Sequence, residues 1–313
     1  MKMKAGFTLI ELSIVLVIIG LIIGGILVGQ NLINAAAIVA QISQMEKYNT
    51  AVYTFINKYG YLPGDVPDPI ATRYGLNPRG QYAGEGDGNG LLEGVSQDAP
   101  ASNSGVAMSA GETAMFWVDL SSAQLIDGGF TTASSTTPPA SNYITLTSSP
   151  NLQAYFPAAK IGQGNYVYVY SGGWKLENIT DFPGDGNNYF GISAVSILYG
   201  GSDAFAGIGS KPALTVQQAY SIDTKVDDGL PQSGSVQAIY DAGFAAWASG
   251  DSSMGAFSIA GGGLDPGFWG PTTRAVPYAP TNCYDNNGVA GPQQYSLVNS
   301  NSLNCALSLQ FQF

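Results

Sequence analysis

Carboxylates dominate the residues that could do chemistry in this 313-residue chain: 22 Asp and Glu stand against 11 Lys and Arg, and there is no histidine. Without imidazole, Ser-His-Asp and Cys-His hydrolases, His-ligated zinc and haem on a proximal His are excluded. Two cysteines, Cys283 and Cys305, do not complete a structural zinc site by themselves. Acidic residues in Gly-rich loops suit calcium, which takes oxygen ligands. The tightest acidic group is Asp223, Asp227 and Asp228, and these three are the calcium candidates. Asp223 and Asp227 are one turn apart on a helix face, where like charges repel by a few tenths of a kcal/mol. With Lys225 close by, the group also reads as a solvated helix end. The loop Gly84-Glu85-Gly86-Asp87-Gly88-Asn89-Gly90 offers Asp87 and Asn89, but Leu91 falls where an EF-hand needs a third ligand. Here, as in Pro63-Gly64-Asp65 and Pro183-Gly184-Asp185, the residue types are those of turns. Paired carboxylates could serve glycoside hydrolysis, yet 22 acids always make some pair possible, so no catalytic residue is assigned.

One carboxylate stands apart. Glu11 is the only charge between Lys4 and Glu46, and it lies inside an apolar run from Phe7 to Gly29, 23 residues in all. About 20 apolar residues cross a bilayer as a helix. A carboxylate in hydrocarbon costs roughly 2.5–3.5 kcal/mol, which makes Glu11 a functional residue by default unless it is hydrated among headgroups. Lys2 and Lys4 precede the run and the next basic residue is Lys47. This bias places the N-terminus in the cytoplasm and the rest of the chain outside. The run is too long for a signal-peptide core, and Gly24-Gly25 and Gly29 match a small-x-small cleavage site poorly. Eleven scattered basic residues form no cluster that would hold nucleic acid, and the acidic balance argues against a basic patch on anionic lipid.

The elements that position these residues follow from periodicity. Ile38, Ile42, Met45, Tyr48, Val52, Phe55 and Tyr59 recur at spacings of three and four, one face of a helix. The apolar run therefore continues as a single long helix that stops at Gly60, with Pro63 beyond. Gly20, Gly24, Gly25 and Gly29 weaken its first half; they suit either local unwinding or close helix packing. A second helix is predicted over 111–125, opened by a capping box of Ser109 and Glu112, and another from Thr215 to Val226 with Gln218 completing its box. Thr131 to Pro150 reads as an exposed loop. Strands are predicted at 165–171, at 189–198 and at the C-terminus, where Leu309, Phe311 and Phe313 alternate with Ser308, Gln310 and Gln312 on a polar face. The fold class is α+β: a long N-terminal helix, its first half membrane-spanning, packed on an antiparallel β-sheet head.

Gly6-Phe7-Thr8-Leu9-Ile10-Glu11-Leu12, following the short basic leader and heading the apolar helix, resembles the cleavage and methylation signature of type IV prepilins and the related pseudopilins of type II secretion. The signature spans about a tenth of the chain. The head is similar to long pilin-like proteins only in patches: Tyr59 to Asp65, the Trp117 helix ending at Gly128, and Ile222 to Gly229. The resemblance implies that a prepilin peptidase cuts between Gly6 and Phe7 and methylates the new amine of Phe7. It implies that Glu11 recruits and registers subunits against the Phe7 amine of a neighbour. The divisions are then a leader at 1–6, a membrane-spanning and filament-core half at 7–29, an amphipathic half at 30–60, and an extracytoplasmic head at 61–313 with an insertion at 240–281. The implied partners are identical or related subunits, the peptidase, and an inner-membrane assembly platform with its motor; the membrane holds the precursor beforehand. The filament is extracellular or periplasmic. In an exported chain Cys283 and Cys305 are expected to form a disulfide, similar to the closed C-terminal region of many type IV pilins and absent from many pseudopilins. The leading expectation is a non-enzymatic filament subunit of a type IV pilus. The alternatives are a type II secretion pseudopilin and, from another class, a single-pass anchored binding or hydrolytic domain.

Overall fold

The computed structural model describes residues 8–80, 84–94, 111–133, 142–145, 152–171, 186–200, 208–238, 278, 280, 282–289 and 291–312. Gly6, Phe7, Ser109, Pro183-Gly184-Asp185 and nearly all of the expected insertion at 240–281 lie outside the described residues.

Helix α1 runs unbroken over Leu9–Tyr59, 51 residues, or about 77 Å at 1.5 Å per residue. It ends where expected. Gly60 takes the left-handed conformation, with φ 81°, and its N–H donates to the Ile56 carbonyl. The apolar stripe of its second half forms one wall of the core. Ile38, Met45, Tyr48, Val52, Phe55 and Tyr59 are buried, with Ile42 packed at the margin. Two glutamines on this wall were not singled out by the periodicity. The side-chain oxygens of Gln41 and Gln44 accept the Ile161 and Lys160 N–H groups at 3.0 Å, and Gln44 Nε2 donates to the Ala158 carbonyl. These contacts satisfy buried backbone and fix the helix against the 158–161 segment.

After the single turn of α2 (Ile70–Arg73), α3 spans Glu112–Ser122. Its start matches expectation, but the capping box does not form. Gly111 occupies the N-cap without a side-chain cap, and the Glu112 carboxylate instead accepts the N–H groups of Gly86, Asp87 and Glu93. Three converging donors from a neighbouring loop outcompete the one local donor that a box would supply. Strand β1 (Asn142–Thr145) falls inside the stretch read as loop. Its strand formers Tyr143, Ile144 and Thr145 are hidden among Ser, Thr and Pro.

The remaining elements are β2 (Tyr166–Ser171), β3 (Asn188–Gly200), β4 (Ile208–Lys211), α4 (Val216–Val226), β5 (Val236–Gln237), β6 (Tyr284–Asp285), β7 (Gln294–Tyr295) and β8 (Leu307–Gln310). The Thr215–Gln218 capping box of α4 forms as predicted. Strand β3 is the hub of a six-stranded sheet: it pairs antiparallel with β1, β2, β4 and β8, and β8 also pairs with β5. Strands β6 and β7 form a separate ribbon. The class is α+β, as the sequence implied. The polar face expected for the last strand is corrected at Ser308, which is 2% exposed and accepts the Tyr170 hydroxyl at 2.5 Å. Both faces of β8 are covered there. Between helix and sheet lies an aromatic cluster: Trp117 packs edge-on to Tyr48 and Phe116, both at 4.9 Å, and Phe190 lies 4.2 Å from Phe311.

Where the chain leaves α1, a buried ion pair fixes the turn. Asp119 Oδ2 accepts Arg79 Nη2 at 2.5 Å and the Gly64 N–H at 2.7 Å, and Arg79 Nε donates to the Val66 carbonyl. Gly64 has φ 90°, and a Cβ there would sit 2.3 Å from the Glu112 carbonyl oxygen. We predict that Asp119→Ala, by stranding the Arg79 guanidinium in the core, destabilises the folded head by about 3–5 kcal/mol. Chemical denaturation of the detergent-solubilised chain checks this; a loss below about 1 kcal/mol would show that Arg79 finds water or another acceptor.

Candidate functional site

Among the described residues, the first half of α1 carries the most exposed apolar surface. Apolar side chains from Leu9 to Ile33 are exposed on every face of the helix, and the first buried residue is Ile38. No charged residue occurs between Glu11 and Glu46. Among the described residues, α1 is the helix long and apolar enough to cross a membrane. It stays helical through Gly20, Gly24, Gly25 and Gly29, and a Cβ at any of the four would meet nothing within 4 Å. In the single chain, these glycines leave open space along the helix.

Glu11 has a local partner that the sequence reading missed. Thr8 is the N-cap of α1, and Thr8-Leu9-Ile10-Glu11 forms a capping box. The Thr8 N–H and hydroxyl each donate to Glu11 Oε2 at 2.8 Å, while Thr8 Oγ1 accepts the Glu11 N–H at 3.3 Å. The signal was in plain view, since Thr-x-x-Glu before an apolar run is the box pattern itself. Glu11 is therefore held at the helix terminus, exposed and already hydrogen-bonded, with Phe7 two residues before the first helical residue. Processing at Gly6–Phe7 would put a new amine one residue from this cap.

The acidic residues of the head gather into two groups. Asp223, Asp227 and Asp228 bring one carboxylate oxygen each within 4.8 Å of the others. Asp228 is exposed and Asp227, the C-cap of α4, half-buried, as at a solvated helix end, but Asp223 is not solvated. Asp223 is buried and accepts the Tyr295 hydroxyl at 2.7 Å and the Gly229 N–H at 3.0 Å. Asp227 accepts the Ser235 and Val236 N–H groups; Asp228 accepts the Leu230 N–H and the Ser233 hydroxyl. The three carboxylates thus close the connection from α4 to β5. The second group is Asp65, Asp87 and Glu112, again within 4.8 Å, with Glu93 beside it. In the sequence Asp65 and Asp87 fall in turn-type segments and Glu112 in a capping-box pattern. Only the fold brings the end of α1, the Gly-rich loop and the start of α3 together. Burial pushes Asp65 up to about 7 and Glu93 up to about 8, and lifts Glu112 well above the ordinary carboxylate range. Backbone N–H donors from Gly88 and Gly90 oppose the rise at Asp65.

Cys283 and Cys305 form the expected disulfide, both sulfurs buried in the core. It joins the β6 end to the segment entering β8, where Cys305 also bridges Leu214 through the backbone.

Residues 1–27 match the family described as the prokaryotic N-terminal methylation motif, the prepilin-type signature of type IV pilins and pseudopilins. No curated protein and no solved structure matches the chain.

Burial raises Asp223 to about 7, with Asp227 and Asp228 adding to the rise and Tyr295 and Gly229 opposing it. A carboxyl whose folded pKa lies above its ordinary value of about 3.9 stabilises the fold fully at low pH and loses that contribution as pH rises through 7. Thermal unfolding in a chelator between pH 5 and pH 8 should therefore show Asp223→Asn gaining on the parent chain as pH rises. Parallel curves for the two would remove the assignment.

Proposed function

We propose that this chain is the structural subunit of a type IV pilus-like filament and acts by assembly rather than catalysis. The observation that carries the proposal is the methylation motif placed directly before a helix whose apolar side chains are exposed over more than six turns. Such a surface has two stable environments, lipid and other copies of itself. The precursor waits in the inner membrane with Lys2 and Lys4 on the cytoplasmic side and the head outside. A prepilin peptidase cuts between Gly6 and Phe7 and methylates the Phe7 amine. The platform and motor then move the helix from lipid into the filament core.

Glu11 has a defined task in that transfer. In the single chain its carboxylate accepts from Thr8. In the filament it also takes the cationic amine of a neighbouring Phe7, a pair whose value lies in register more than in net stability. The open space at Gly20, Gly24, Gly25 and Gly29 is where neighbouring helices approach closely. The Cys283–Cys305 disulfide supports the pilus reading over a secretion pseudopilus, which uses the same assembly chemistry.

Three expectations follow for the protein in its native membrane. Intact mass and N-terminal peptide mapping should find a chain that begins at N-methylated Phe7. Gly6→Ala should leave Met1 in place and abolish filaments; normal cutting of that variant counts against the processing assignment. Glu11→Ala should be inserted and cut, yet filament yield should fall to near background, and an unchanged yield would strip Glu11 of its role. Deletion that abolishes surface fibres fits the pilus, whereas deletion that stops export of other proteins fits the pseudopilus.

A further inference from the structure

We propose that the head carries a calcium site built by Asp65, Asp87, Glu93 and Glu112, at the junction where α1 meets the rest of the fold. Asp65 comes from the turn after α1, Asp87 and Glu93 from the Gly-rich loop, and Glu112 from the first turn of α3. One oxygen each from Asp65, Asp87 and Glu112 lies within 4.8 Å of the others. Two ligands at 2.3–2.6 Å from a common calcium ion sit at most about 5 Å apart, so the spacing is that of a shared ion.

An acidic group by itself is common, and the Asp223 group shows how loops use one without help. Glu93 distinguishes this junction. It is wholly buried; its Oε2 accepts from Asn89 Nδ2, which also reaches Asp87, and its Oε1 has no hydrogen-bond partner. Its backbone N–H donates to Glu112 Oε2 at 3.0 Å and its carboxylate shares Asn89 Nδ2 with Asp87, so the orphaned acceptor lies beside the same group. Leaving such an acceptor dry and unpaired is costly, and the surrounding carboxylates raise the cost. Among the described residues no salt bridge reaches them: the ion pair there is Arg79–Asp119, and Arg79 Nε is spent on the Val66 carbonyl.

The chemistry of the donors selects the ion. All are oxygens, there is no histidine, and both cysteines are in the disulfide, so soft and borderline metals find no preferred ligand. Calcium accepts six to eight oxygens in a flexible shell, whereas magnesium demands a near-ideal octahedron and keeps its water. Sites in extracellular modules bind calcium at about 10⁻⁴–10⁻³ M, which suits a head that faces outward. Bound there, the ion ties the end of α1 to α3 through the Gly-rich loop and fixes how the head sits on the filament helix.

The test uses the full chain, purified in detergent and stripped with EDTA. Calorimetric titration with CaCl₂ should give one calcium bound per chain, and the thermal midpoint should rise by about 2 °C or more in 10 mM calcium. The same concentration of MgCl₂ should do markedly less. Glu93→Gln and Asp87→Asn, which keep size and remove one ligand charge each, should weaken binding about tenfold or more. Because Asp87 is exposed, its variant reports on binding even if Glu93→Gln perturbs folding. Asp223→Asn should bind calcium as the parent does. No calcium-dependent shift in the parent chain overturns the site, as does binding that survives both junction variants or disappears with Asp223→Asn.

Discussion

A single helix that must satisfy two different solvents is the constraint on which the rest of this structure depends. From Ile38 onward, α1 buries one stripe against sheet and α3, and its remaining faces carry Glu46, Lys47, Asn57 and Lys58 toward water. From Leu9 to Ile33 it has no polar face to turn outward. Burying a large aliphatic side chain is worth about 1.5–3 kcal/mol, and more than a dozen such side chains are exposed here. Among the described residues, nothing of the head covers this stretch of the rod, which precedes the first buried residue. The environment comes from outside the described residues, on the proposed reading first as lipid and then as neighbouring helices of the filament. The rod must also remain a helix in both, because unpaired backbone in hydrocarbon costs several kcal/mol per group. The Thr8–Glu11 box closes the end that would otherwise fray.

The head answers a different problem, which is how to hold long connections with few basic residues. With 11 Lys and Arg against 22 acids, ion pairs cannot do the stitching. Carboxylates accept backbone N–H groups instead. Asp65 takes Gly88 and Gly90, Glu112 takes Gly86, Asp87 and Glu93, Asp119 takes Gly64, and Asp227 takes Ser235 and Val236. Such charge-assisted bonds are roughly twice as strong as neutral ones. Glycine recurs on the donor side for a physical reason. Gly88 and Gly90 both have positive φ, so the backbone curls and aims successive N–H groups at one acceptor. Glycine N–H donors and carboxylate acceptors are thus one device seen from its two ends.

What could be read in the chain was whatever local physics decides. The long helix, its Gly60 stop, the buried stripe and the Thr215 box are each set by residues within a few positions of one another. The strand Tyr166–Ser171 announces itself by alternation. The failures share the opposite property. Glu112 was read as a cap because Ser109 is three residues away, but its three donors lie 19 to 26 residues off. Asp65 and Asp87 look like turn residues, and they are, yet their meeting depends on β3 and α3 holding the loop in place through Leu92 and Asn188. Strand β1 is paired only by virtue of β3. Long-range contact of this kind leaves no mark on the periodicity of either partner.

In the proposed filament the junction after α1 transmits force as well as position. In a filament, any pull on the head reaches the packed helices through the few residues after Tyr59. Gly60 and Gly64 are flexible links when free, because glycine loses the most conformational freedom on folding. Both are immobilised here, Gly60 by its bond to Ile56 and Gly64 by the Asp119 carboxylate with the Glu112 carbonyl against its Cα. Asp119 is in turn held by Arg79, and Arg79 by Val66, so the turn is braced from both sides by side chains anchored in α3 and in the segment that follows α2. A purely apolar brace would slide under load, since hydrophobic contact is non-directional. A directional network of charged acceptors resists that sliding, which gives a physical reason for the head to place so much buried polarity at the point where the filament helix ends.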